Sequence, residues 1–148
     1  MAALARDIAA VRRFNRFYTR ELGLLRRTFL DTPYSLGEAR ILLEIGQRPG
    51  LTASEIAGLL ELDAAYLSRL LARFEKQKLI VRTANADDAR HRHLALTAKG
   101  EAVLKAIDVR QAAQTERTLA PLSAAERKAL VDAMATIEAV LGKGRALA

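Results

Sequence analysis

Three copies of one short pattern decide most of what this chain can fold into. Ser35 with Glu38, Thr52 with Glu55, and Ser123 with Glu126 each read S/T-x-x-E. In that box a hydroxyl accepts from an amide of the first helical turn, and the carboxylate three residues on accepts from the cap's own amide. Asp63 can cap alone, and Thr97 offers a further start. The spacing predicts helices over about 36–46, 53–60, 64–78, 98–119 and 124–141, with Gly46, Pro49, Gly50 and Pro121 in the gaps. Leu51 and Ile56 flank the Thr52 cap as a hydrophobic staple. The exception is the stretch from Leu79 to Thr97. There Leu79, Ile80 and Val81 are β-prone, a polar tip follows, and Leu94 and Leu96 alternate, which predicts a two-stranded hairpin. The chain is therefore expected to be mainly α with one small β element.

The amino-terminal segment adds a different periodicity. Leu4, Val11, Tyr18 and Leu25 form one series, and Ile8, Leu22 and Phe29 a second, each stepping by seven or a multiple of it. This predicts one long helix reaching Phe29, with a two-stripe seam for a partner helix. Asn15 occupies a seam position, where a polar residue fixes register at some cost in stability. An ordinary amphipathic core helix would show the same pattern.

At 148 residues the chain has one domain's worth of sequence, and 51% hydrophobic with 28% charged residues is the balance of a packed protein. Its formal net charge is +7, from 24 Lys+Arg against 17 Asp+Glu, which favours polyanionic partners. The charge is unevenly spread. Residues 1–30 hold seven arginines against Asp7 and Glu21, residues 31–63 hold Arg40 and Arg48 against six acids, and residues 64–97 hold seven bases against Glu75, Asp87 and Asp88. With no Cys, disulfides, thiolate metal sites and cysteine nucleophiles are excluded, and two His, at 91 and 93, are too few for a histidine metal cage. No Gly-rich phosphate loop and no nucleophile with a plausible base is present, so neither an enzyme nor a cofactor is expected. The longest stretch without Asp, Glu, Lys or Arg runs only from Thr118 to Ala125, and Arg6 and Asp7 interrupt any apolar start. No membrane segment or secretory leader is expected, which implies a cytoplasmic protein.

Short helix, tight turn, longer helix, then a hairpin with a charged tip is the order of a winged helix-turn-helix. In the longer helix, Leu67, Leu70, Leu71 and Phe74 share one face at spacings of three and four. The opposite face carries Ala64, Ala65, Tyr66, Ser68, Arg69, Ala72 and Arg73. Small residues there allow close approach to a groove, Tyr66 and Ser68 can reach base edges, and the arginines can bond guanine or phosphate. A solvated basic face has the same composition. At the hairpin tip, Arg90 suits a narrow A·T-rich minor groove, Asp88 two residues earlier can aim it, and Arg92 extends the positive charge. A local Asp88–Arg90 turn ion pair is the plain alternative.

The hairpin sequence Asp88-Ala89-Arg90-His91-Arg92-His93-Leu94-Ala95-Leu96-Thr97 matches the D-x-R-x-x-x-x-x-L-T pattern of the MarR family of bacterial transcriptional regulators. The order of elements resembles that family over nearly the whole chain. Val11-Arg12-Arg13-Phe14-Asn15-Arg16-Phe17-Tyr18-Thr19-Arg20 and Thr32-Pro33-Tyr34-Ser35-Leu36-Gly37-Glu38-Ala39-Arg40 are similar, more narrowly, to regulator halves that precede a GNAT acetyltransferase. Glu61 departs from the family pattern, in which Gly often holds the turn between the two helices.

The resemblance implies a sequence-specific double-stranded DNA-binding transcriptional regulator, a ligand-responsive repressor acting as a homodimer on a pseudo-palindromic operator. Dimerisation helices are expected in 1–34 and 119–148, the winged helix-turn-helix in 35–97, and a connecting helix in 98–118. Leu130, Met134, Ile137 and Leu141 lie on one face of the last helix, as a second seam would require. The expected DNA-facing set is Thr52, Ala64, Ala65, Tyr66, Ser68, Arg69, Arg73, Asp88, Arg90 and Arg92. A phenolic or anionic effector is expected among Phe14, Phe17, Tyr18, Arg20, Tyr34 and Arg40. The alternative is a regulatory or dimerisation module of a GNAT-type acetyltransferase without DNA binding of its own.

Overall fold

The computed structural model describes residues 1–84 and 91–145. Its elements are α1 (Ala2–Glu21), α2 (Leu36–Gln47), α3 (Ala53–Leu60), α4 (Ala64–Lys76), β1 (Ile80–Ala84), β2 (Arg92–Leu96), α5 (Ala98–Leu119) and α6 (Ala124–Arg145). The chain divides into two compact units, Met1–Asp108 and Val109–Ala148.

The capping residues start the helices where their chemistry predicts. Ser35 and Glu38 exchange both bonds of the box at the start of α2, and Thr52 and Glu55 do so at the start of α3. Ser123 and Glu126 repeat the exchange at α6, at 2.8 and 3.2 Å. Asp63 accepts from the Tyr66 amide at 2.8 Å, and Thr97 Oγ1 from the Gly100 amide at 3.0 Å. Ser123 draws the Glu126 carboxyl below the usual carboxylate range by hydrogen bonding its charged form.

Helix ends depart from expectation in three places. α1 stops at Glu21 instead of running to Phe29, because Gly23 takes φ +68°. The Gly23 amide donates to the Arg20 carbonyl and the Leu24 amide to the Thr19 carbonyl, closing a Schellman motif. Leu25 and Phe29 therefore fall outside the helix that their seven-residue spacing predicts. α4 stops at Lys76, not Lys78, through the same motif: the Lys78 amide bonds Glu75 and the Leu79 amide bonds Phe74, with Lys78 itself left-handed at φ +60°. α6 runs beyond the expected 141 to Arg145. Glu61 adopts a left-handed turn conformation, φ +52°, that a Gly would take more cheaply, a difference of about 1 kcal/mol.

The core lies within the first unit. Ile41, Leu42 and Ile45 of α2, Ile56 of α3, and Leu67, Leu70, Leu71 and Phe74 of α4 pack with Leu79, Ile80 and Leu94. β1 and β2 pair antiparallel from Ile80↔Leu96 to Ala84↔Arg92. Gly100 lets the start of α5 approach the hairpin: a Cβ there would lie 2.0 Å from the Leu79 carbonyl oxygen.

Candidate nucleic-acid interface

The four apolar residues of α4 are buried, and its other face is left to solvent. Ala64, Ala65, Ser68, Arg69, Ala72 and Arg73 are exposed, and Tyr66 keeps 41% of its surface. The Asp63 cap fixes the first turn, so Tyr66 is presented from a helix end whose amide already has its partner.

The wing is tied to the helix pair through the segment before α3. The Gly50 amide donates to the Leu94 carbonyl at 3.1 Å, and the Leu94 amide donates to the Leu51 carbonyl at 2.9 Å. Thr52 forms an isolated bridge with His93, whose Nδ1 lies 2.5 Å from the Gly50 carbonyl oxygen. Thr52 is buried and its hydroxyl is engaged with Glu55, so the structure makes it the joint between α3 and wing and not an outward-facing contact. The Glu55 carboxyl is held below its ordinary range by its hydrogen bonds from the Thr52 backbone and side chain, with smaller help from His93 and His91. Arg92 is exposed at the start of β2. Asp88 and Arg90 lie outside the described residues.

Arg73 has a partner that local sequence does not suggest. Its Nη2 donates to Glu38 Oε1, 35 positions earlier, at the start of α2. On the hairpin side, Arg82 Nε lies 3.0 Å from Glu75 Oε2 as an ion pair without hydrogen-bond geometry. Arg69 pairs with no carboxylate among the described residues.

The six expected effector residues occur as separate contacts. Phe14 stacks on Tyr18 with ring centroids 5.4 Å apart, Tyr34 meets Phe74 edge-on at 6.4 Å, and Arg40 Nε bonds the buried Glu44 at 2.7 Å. Arg20 is 3.9 Å from Glu21, and Phe17 is half exposed. Burial, and then the nearby Glu38 charge, raise the Tyr34 phenol above its ordinary value. A cavity of about 520 Å³ between Gln47, Pro49, Leu96, Leu104 and Lys105 includes none of the six, and neither does one of about 250 Å³ near Arg26 and Ser35.

Residues 30–91 match the model of the MarR family. No curated protein matches the chain. Among solved structures, a MarR family transcription regulator is 26% identical with a TM-score of 0.71, over 99% of this chain and 95% of that one. FabT of Streptococcus pneumoniae, solved in complex with DNA, is 21% identical with a TM-score of 0.67 over 97% and 99% of the two chains. PcaV of Streptomyces coelicolor, solved with its natural ligand, is 22% identical with a TM-score of 0.62 over 86% and 88%. These likenesses share the mainly helical fold with a two-stranded antiparallel sheet.

Proposed function

We propose that this chain, whose residues 30–91 belong to the MarR family, is a transcriptional regulator that binds double-stranded DNA as a homodimer and responds to a small ligand. The observation that carries the reading is α4: one face sunk in the core, the other exposing Tyr66, Ser68 and Arg69 beside a wing anchored to the same helix pair. That is the placement by which a recognition helix enters a major groove. Ala64 and Ala65 allow close approach, Tyr66 and Ser68 supply base-edge contacts, and Arg69 and Arg92 supply charge. Asp88 and Arg90 complete the set as a wing-tip pair for the minor groove. FabT, of like fold, was solved with DNA, and PcaV with a ligand.

Dimerisation is proposed through α1 and α6. Leu4, Ile8, Val11 and Phe14 on α1, and Val131, Ile137, Val140 and Leu141 on α6, are exposed, more apolar surface than a soluble helix leaves uncovered. Two-fold symmetry would set recognition helices one DNA turn apart, about 34–36 Å, on a pseudo-palindromic site. The ligand reading draws on Phe14, Phe17, Tyr18, Arg20, Tyr34 and Arg40, which would have to be assembled by the second copy or by the ligand itself. No described helix is long and apolar enough to cross a membrane, and we place the regulator in the cytoplasm, with no catalytic role.

Binding to duplexes from the DNA upstream of the coding region, titrated at two ionic strengths, tests the reading. Affinity is expected to fall steeply with salt, because releasing counterions into a more concentrated solution gains less entropy. No binding at low salt would leave the acetyltransferase-associated module standing instead.

A further inference from the structure

Two residues in the last turn of α4 are held by side chains from different neighbours. Arg73 donates to Glu38 on α2, and Glu75 pairs with Arg82 on β1. Glu38 is fixed in turn: its Oε2 accepts from the Ser35 amide at 3.3 Å, and its own amide donates to Ser35 Oγ at 3.2 Å. Beside it, Tyr34 packs edge-on against Phe74, the residue after Arg73. The Glu38 side chain is 17% exposed and that of Arg73 is 51% exposed, so the pair is partly shielded from water and its attraction is stronger than at an open surface. Arg69 lies one turn earlier on the same face and has no carboxylate partner among the described residues.

Building on the duplex-binding reading, we propose that α4 divides the work of its two arginines. Arg69 contacts phosphate, and Arg73 is a positioning residue that, with Glu38, fixes the carboxyl-terminal end of the recognition helix against α2. A guanidinium already bonded to a carboxylate must give up that bond to reach a phosphate, whereas an unpaired one gains the whole charge-assisted bond. Fixing one end of a rigid helix also fixes where its other end, with Tyr66 and Ser68, meets the groove.

The test uses a labelled duplex that the wild-type chain selects from a random-sequence pool, with affinity read by fluorescence anisotropy across ionic strength. Wild type is compared with Arg69→Gln, Arg73→Gln, Glu38→Gln and the Glu38→Gln/Arg73→Gln double variant. Gln at 38 keeps the acceptor that the capping box needs while removing the charge, so α2 stays capped. Circular dichroism melts establish that each variant is folded at the assay temperature. Arg69→Gln is expected to flatten the slope of log affinity against log salt by about 0.9, one phosphate contact. Arg73→Gln and Glu38→Gln are each expected to weaken binding about fivefold with the slope unchanged, and the double variant to lose no more than either single one. A shallower slope for Arg73→Gln, tighter binding by Glu38→Gln, or additive losses would overturn the division of labour while leaving DNA binding intact. A wild-type chain that selects and binds no duplex would overturn both.

Discussion

α1 and α4 are built from the same ingredients and come to opposite ends. Each is an amphipathic helix with arginines on its polar side. α4 buries Leu67, Leu70, Leu71 and Phe74 to 4% exposure or less, whereas α1 buries nothing and leaves Leu4, Ile8, Val11, Phe14 and Phe17 between 41% and 64% exposed. The cover for α4 comes from α2, α3 and the hairpin of its own chain. No residue of α1 is buried, although its apolar stripe is just as regular. Amphipathicity states that a face needs covering; it does not state by what. A helix that stands on its own core can hold side chains at fixed positions for recognition, and a helix that lacks one is suited to joining two copies.

Substitutions in the two helices are expected to act differently. The largest effect is expected at Phe74→Ala, which empties the middle of the core and removes the partner of Tyr34; it should cost about 3–5 kcal/mol in denaturant unfolding. A loss below about 1 kcal/mol would show that α4 is not the centre of the core. Next, Ile8→Glu on α1 should leave the secondary structure of the chain in place but shift the sedimentation equilibrium from dimer to monomer, because it puts a charge into an apolar seam. A variant that stays dimeric would move the interface elsewhere. Asp63→Ala, which leaves the Tyr66 amide without its acceptor, should cost about 1 kcal/mol and fray the turn that presents Tyr66.

The smallest effect is expected from acid. Glu55 and Glu126 both have folded-state values below their ordinary 4.5, so the unfolded chain takes up protons first. Their contribution is fully present above that value and is lost as pH falls through and below it. Glu55→Gln/Glu126→Gln should therefore show a shallower decline in melting temperature than wild type on acidification from pH 5 to pH 3. Identical declines would assign the acid sensitivity to other carboxylates.

What could be read from the sequence follows from how local each cause is. Capping acts over three residues, so Ser35, Thr52, Asp63 and Ser123 mark helix starts that the structure shares. The buried face of α4 was equally plain from four apolar positions. Seven-residue spacing alone extends the first helix through Gly23 to Phe29, although a glycine after a run of helix formers is itself a stop signal. The early end of α4 had no such signal, since Lys78 takes the left-handed conformation without being Gly. Arg40 has Glu44 four residues on, a partner readable on any helix that competes for the guanidinium. Arg73 and Glu38 are 35 positions apart, and only the packing of α4 against α2 brings them together. The cap role that the S/T-x-x-E spacing gives Thr52 already engages its hydroxyl.

Two copies of this chain are expected to hold one duplex together. Sedimentation velocity of the full chain mixed with its selected duplex, at protein concentrations spanning the dimer equilibrium, measures that stoichiometry directly. Two chains per duplex, with no species carrying one, is the result expected; a stable complex of a single chain, or DNA that sediments as though alone, would contradict it.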